Sequence, residues 1–186
     1  MQSDILCLQE THLKQPMLLK RLEEFNCIPY YSKHGLLICT KKNIQILKHI
    51  HFEEKNVEAT LANMIIHGMD IIVLNVYVAP YATLNDSLHL LSKALCNTHS
   101  NQTIVIIGDF NINMLENNNK TNKLRSYMYN YNLHFLLDTN NNKKISIIDH
   151  IWSNITSSSK TFRLDAYWFD HDTICLIIED RNATET

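Results

Sequence analysis

Short runs of Ile, Val and Leu, too brief for helices and divided by polar turns, constrain this chain more than any other feature. They lie at Ile5 to Leu8, Leu36 to Cys39, Ile71 to Val78, Thr103 to Ile107, Ile145 to Trp152 and Thr173 to Ile178. Their length and β-branched content are those of strands, and none approaches the ~20 apolar residues a helix needs to cross a bilayer. The stretch from Ile44 to Ile66 adds two more, Ile44 to Phe52 and Val57 to Ile66, joined by a charged turn at Glu53 to Asn56 that reads as a hairpin. Helical patterns fall between them at Pro16 to Phe25, where Pro16 suits a first turn, at Asn85 to Cys96 with Asn85 as cap, and at Thr121 to Tyr131. Hairpins combined with strand, helix, strand alternation predict an α/β (α+β) chain. Its sheets are mixed and carry helices outside, in contrast to a purely parallel doubly wound sheet. At 186 residues one domain is expected, over residues 1 to 180, with a polar tail at 181 to 186. Glu116 to Asn122 and Thr139 to Lys144 read as exposed loops.

Charge narrows the partners. A net charge of −2 and a pI near 6.5 leave no global basic footprint, which argues against histone-like or repressor-like affinity for nucleic acid. Any phosphate ligand is then handled locally. Lys41 with Lys42, Lys120, Lys123 and Arg125, and Lys143 with Lys144 form small basic groups, for which solvated surface is the commoner meaning. The five cysteines show no paired spacing, and three lie inside apolar runs, as expected of free thiols in a reducing compartment. Met1 to Asp4 is polar and opens no signal peptide. An intracellular protein, nuclear or cytoplasmic and without a membrane partner, is the expectation; the oligomeric state is open.

Several of the apolar runs end in a residue suited to phosphate or metal chemistry. Thr103 to Ile107 leads through Gly108 to Asp109 and Asn111, two residues apart and on one side if the backbone stays extended. Such a pair could hold a water and a phosphate oxygen, Asp109 accepting a proton and Asn111 donating a hydrogen bond. A turn in which Asp and Asn bond their own backbone is the commoner meaning of the same letters. Ile5 to Leu8 is followed by Glu10, a position from which one carboxylate can anchor Mg²⁺ while water and phosphate fill the other octahedral sites, although plain solvation is the commoner meaning of a strand-end Glu.

Asp149 with His150 lies within one run, and Asp170 with His171 precedes the last. A histidine that touches a phosphoryl oxygen needs a partner on its other ring nitrogen, and a carboxylate from a neighbouring strand supplies one. Asp149 is therefore expected to orient His171. His150, flanked by Ile148 and Ile151, reads as packing, and His12 as surface. Tyr77 closes its run just before Pro80 and offers a phenol to a phosphate or a departing oxygen, or simply lines the rim.

Taken in order, Leu8-Gln9-Glu10-Thr11, Asn75-Val76-Tyr77-Val78-Ala79-Pro80, Gly108-Asp109-Phe110-Asn111, Ile148-Asp149-His150-Ile151 and Asp170-His171 resemble the endonuclease/exonuclease/phosphatase superfamily. The likeness is closest to mobile-element endonucleases of non-LTR retrotransposons and helitron-like elements, through Asp149 to Asn154 and Tyr167 to His171. It implies a four-layer sandwich of two packed mixed β-sheets flanked by helices, and phosphodiester hydrolysis dependent on Mg²⁺, with Mn²⁺ as a substitute. Carried over by position, Glu10 resembles the metal ligand and Asp109 the residue that orients or deprotonates water. Asn111 resembles a phosphate-positioning group, Tyr77 a donor near the scissile phosphate, and His171 a charge-stabilising group held by Asp149. Asp170 would share in metal or leaving-group handling.

Two departures from the family pattern stand out. An Asn-bearing strand and a helix normally precede the Glu-bearing strand, so an N-terminally truncated domain is expected, and Phe169 stands where a serine often precedes the Asp-His pair. The function expected is nicking of a DNA substrate. The alternatives are a phosphatase or phosphodiesterase of the same superfamily, or a catalytically weak remnant that survives as a binding module.

Overall fold

The apolar runs become strands in the computed structural model, which describes residues 3–14, 22–99, 101–137, 146–155, 159–164, 171 and 173–178. In chain order these residues form β1 (Ile5–Leu8), β2 (Phe25–Tyr30), β3 (Leu36–Lys41), β4 (Gln45–Glu54), β5 (Val57–Ile66) and β6 (Met69–Val78). After them come α1 (Leu84–Leu95), β7 (Thr103–Asp109), α2 (Asn119–Asn130), β8 (His134–Phe135), β9 (Asp149–Ser153), β10 (Ser159–Leu164) and β11 (Thr173–Ile178).

The largest sheet has six strands in the order β4-β5-β6-β7-β9-β8. Among the described strands only β6 and β7 run parallel, and α1 supplies the crossover that a parallel pair requires. This helix packs on β4 and β5 and touches α2, while the antiparallel sheet β1-β3-β2 packs against β5 and β6. The antiparallel ribbon β10-β11 meets β9 through β11. The chain is thus a mixed α/β sandwich. Among the described residues the second sheet, β1-β3-β2, is antiparallel, and β10-β11 is a separate two-stranded sheet.

Several expected elements shift. The helix expected over Pro16 to Phe25 falls largely on residues outside the description, and its last residue, Phe25, begins β2. Pro29 fits within β2 because that strand lies at a sheet edge, where a missing N–H is harmless. Thr83, not Asn85, caps α1: its side chain accepts from Asp86 N while Asp86 Oδ2 accepts from Thr83 N, a capping box. Asn118 and Thr121 make the same exchange at α2, so the loop expected over Glu116 to Asn122 is helical from Asn119 onward. Ile147 and Ile148 are not in β9; their carbonyls accept from Met114 and Phe110 and brace the segment after β7. The loop expected at Thr139 to Lys144 and the tail lie outside the described residues.

The core sits between the layers around Ile38, Leu61, Met64, Leu74, Leu90, Leu91, Ile106 and Trp152, all fully buried. Each such side chain contributes about 1.5–3 kcal/mol relative to exposure. Gly108 is indispensable to the join of β6 and β7: its φ is +150°, and a Cβ there would lie 1.9 Å from the Val76 carbonyl oxygen. Among the described residues no helix is long and apolar enough to cross a membrane.

Candidate active site

Sheet register, which no periodicity along the chain reveals, assembles the site. Glu53, Glu58, Tyr77, Asp109 and Asp149 are successive partners across β4, β5, β6, β7 and β9. Paired residues on neighbouring strands point to the same side of a sheet, so these side chains form one row. Glu10, just beyond β1 in the smaller sheet, and His171, just before β11 in the ribbon, reach that row.

The sharpest cluster is Asp109, Asp149 and His171, each offering one ligand atom, all within 4.8 Å of one another. His171 Nδ1 lies 3.1 and 3.2 Å from the two Asp149 oxygens, the pairing expected from sequence. That contact fixes the ring and directs Nε2 away from Asp149. Partial burial opposes protonation of His171, but the Asp149 hydrogen bond and charge outweigh it, with Asp109 and Glu10 adding to them, and its pKa is raised.

Asp109 is 4% exposed. Burial pushes its carboxyl up to about 6; the Asn111 backbone N–H opposes that rise, the charge of Asp149 adds to it, His171 opposes it, and Glu10 adds to it. A carboxylate poised there is suited to taking a proton near neutral pH.

Asn111 departs from expectation. Its backbone is not extended but left-handed, with φ +47°. Its N–H donates to Asp109 Oδ1 at 2.9 Å, while Nδ2 donates to Val78 O at 2.8 Å and to Asp109 Oδ2 at 3.1 Å. The local Asp-Asn bonding and the site geometry are therefore one arrangement, in which Asn111 holds Asp109 and its amide N–H groups are already engaged.

Tyr77 donates to Glu10 Oε1 at 2.7 Å. Burial, then the hydrogen bond and charge of Glu10, raise the pKa of the phenol, which stays protonated and a donor. Glu10 itself has φ +50°, uncommon for a residue with a Cβ, and its side chain is 44% exposed. Around it Thr11 Oγ1 and His34 Nε2 are buried without hydrogen-bond partners.

His150 stays out of the chemistry. It is fully buried, stacked on Phe110 at 4.5 Å, with Nε2 at 2.8 Å from Ile112 O and Nδ1 at 3.3 Å from Trp152 Nε1. The indole can only donate, so Nε2 carries the proton; burial lowers its pKa to about 3 and keeps the ring neutral. Asp170 lies outside the described residues.

Two residues of the site region were not anticipated. Buried Asn75 in β6 donates to Leu8 O at 3.0 Å and Leu37 O at 3.3 Å and accepts from Gln9, latching β1 and hence Glu10 to the large sheet. Glu58 is the other. For Glu58 the only signal was a polar letter inside an apolar strand; Asn75 stood in a motif that carries the family resemblance, but with no role of its own.

Solved structures share this fold at identities too low to show more than fold. The endonuclease domain of TRAS1, a telomere-specific non-LTR retrotransposon, superposes with a TM-score of 0.71 at 13% identity, over 95% of this chain and 85% of that one. A conserved protein of unknown function from Enterococcus faecalis gives 0.67 at 14%, over 95% and 86%. The human Nocturnin catalytic domain, with bound sulfate, gives 0.63 at 16%, over 93% and 80%. No curated protein matches by sequence. The family described as Endonuclease/Exonuclease/phosphatase matches residues 1–167, nearly the whole chain, and this protein belongs to that family of phosphodiester hydrolases.

Proposed function

We propose that this protein is a divalent-metal-dependent endonuclease that nicks DNA, of the kind carried by mobile elements, and that residues 1 to 180 act as one domain. The observation that carries this reading is the convergence of Asp109, Asp149 and His171 within 4.8 Å beside the Glu10–Tyr77 pair. The likeness to the TRAS1 endonuclease domain supports DNA as the substrate and a mobile-element origin. Work on DNA implies a nuclear or cytoplasmic protein.

Three carboxylates gathered at one rim, one with its pKa raised, make a hard, oxygen-rich donor set that suits Mg²⁺ or Mn²⁺. Glu10, aided by the acidic cluster, would hold the cation, which neutralises charge on the phosphate when bound. Asp109 takes a proton from the attacking water, and Asn111 holds Asp109 in the orientation to do so. His171, kept in line by Asp149, donates to a phosphoryl oxygen and stabilises the charge that develops there. Tyr77 orients Glu10 and keeps a phenol proton at the rim. Water adds to phosphorus as the P–O3′ bond breaks, leaving a 5′-phosphate and a 3′-oxygen that is protonated to a hydroxyl.

Supercoiled plasmid tests the reading. The protein with Mg²⁺ should convert it to the nicked circle, chelator should stop conversion, and His171→Ala should be inactive. Absence of nicking, or a His171→Ala variant as active as the parent, overturns it. Release of phosphate from small phosphorylated substrates without nicking would establish a phosphatase instead.

A further inference from the structure

Glu58 stands in the middle of the polar row, next to Tyr77, 2% exposed and without a part in the chemistry proposed above. A carboxylate withdrawn from water persists only where donors replace the water. Here the donors all come from one short turn: Ser32 Oγ at 2.5 Å, His34 N at 3.2 Å and Gly35 N at 3.2 Å.

The other side of that turn faces the site. Gly35 O accepts from Thr11 N at 3.1 Å, and His34 O accepts from His12 N at 2.9 Å. These two amides directly follow Glu10, whose left-handed backbone persists only if its surroundings hold it. Gly35 is required for so close an approach: its φ is +86°, and a Cβ would lie 2.6 Å from Thr11 Oγ1. The turn also delivers the His34 ring, 4.7 Å from the Tyr77 ring, with Nδ1 3.9 Å from Glu10 Oε1. Glu58 therefore reaches Glu10 by two routes, through the turn and through its strand partner Tyr77.

We propose that Glu58 is a positioning residue that clamps the Ser32 to Gly35 turn and thereby holds Glu10, with His34 beside it, against Tyr77. The functional consequence rests on the reading of Glu10 as the cation-holding carboxylate. The mechanical part does not.

Amide hydrogen exchange at Thr11 and His12 in metal-free protein is the primary test, because it requires neither cation nor nucleic acid. Glu58→Gln keeps the size of the side chain but turns an NH₂ toward the turn's donors. Exchange at the two amides should quicken about tenfold, as for the net loss of one hydrogen bond, and by less in Ser32→Ala. Amides of β6 and β7 should exchange as in the parent. Binding of Mn²⁺ to the protein alone, followed by electron paramagnetic resonance, should weaken roughly 10- to 100-fold in Glu58→Gln. Unchanged protection at Thr11 and His12 in both variants overturns the proposal, even in a protein that nicks plasmid. Loosened amides with parent-like Mn²⁺ affinity leave the clamp standing and overturn its functional consequence, because cation binding then does not depend on the turn. If Glu58→Gln fails to fold, Ser32→Ala decides by the same two measurements. A parent that binds no Mn²⁺ and nicks nothing removes the nuclease reading, and the clamp then stands or falls on exchange alone.

Discussion

Replacing Asp109 by asparagine should make the metal-free protein more stable at pH 8 while abolishing its activity. Burial is the main reason that the Asp109 carboxyl sits at about 6, against an ordinary 3.8. At 1.36 kcal/mol per pKa unit that gap corresponds to about 3 kcal/mol. The sign follows from linkage: a carboxyl whose pKa is raised by folding stabilises the fold fully below pH 3.8 and loses that contribution as pH rises through about 6. At pH 8 the parent carries the whole cost of holding the charge. The side-chain amide introduced by Asp109→Asn would still accept from Asn111 N through its oxygen but would lose the acceptor that faces Asn111 Nδ2, at a cost of about 1 kcal/mol. The net gain is about 2 kcal/mol, which for a domain of this size raises Tm by about 4–8 °C. Scanning calorimetry in chelator at pH 8 and pH 4 measures it. At pH 4 the advantage should vanish, because the parent is then largely relieved of the charge. Added Mg²⁺ at pH 8 should narrow the gap by stabilising the parent, with its full set of carboxylates, more than the variant. A variant that melts at or below the parent at pH 8, or an advantage independent of pH, refutes the reasoning.

Tyr77→Phe removes only the donor to Glu10 and should lower nicking roughly 10- to 100-fold at limiting Mg²⁺, with partial recovery at high Mg²⁺, read from metal titrations of the rate. Gly108→Ala would force a Cβ to within 1.9 Å of Val76 O and should destabilise the fold by more than about 4 kcal/mol in denaturant titration. His150→Leu strands the Trp152 indole N–H and the Ile112 carbonyl and should cost about 1–3 kcal/mol each, while the nicking rate per folded molecule, normalised to circular dichroism, stays that of the parent.

The parts of the fold that were legible are those in which local composition and final environment agree. β5, β6, β7 and β11 are buried or half-buried, and their Ile, Val and Leu content announces it. β2 and β10 were missed because Asn26, Cys27 and Pro29 in one, and Ser159, Lys160 and Arg163 in the other, carry little strand propensity. They are strands because β3 and β11 offer them partners. The same division runs through the site. Glu10, Asp109, Asp149 and His171 could be found because a polar residue bordering an apolar run is a local signal. Glu58 and Asn75 act from inside strands, and their meaning depends on register with β6 and on the approach of β1, which are contacts between residues far apart in sequence. Asn111 was found, but its orientation was not, since its backbone is left-handed and its amide turns to Val78 O, a contact with a strand 33 residues away that no local pattern announces.

The ribbon β10-β11 has a consequence for biosynthesis. The six-stranded sheet draws on β4 to β9, whereas His171 arrives only with the ribbon that follows. A ribosome extends a chain at about 5–20 residues per second, so the hairpins of the large sheet have time to form before His171 emerges. A nascent chain that has emerged only through β9 would carry Tyr77, Asp109 and Asp149 without His171, and without the Ile174, Leu176 and Ile178 side chains that pack against the core. Such a chain would carry an incomplete site, and activity against phosphodiesters would appear only in molecules that had been finished.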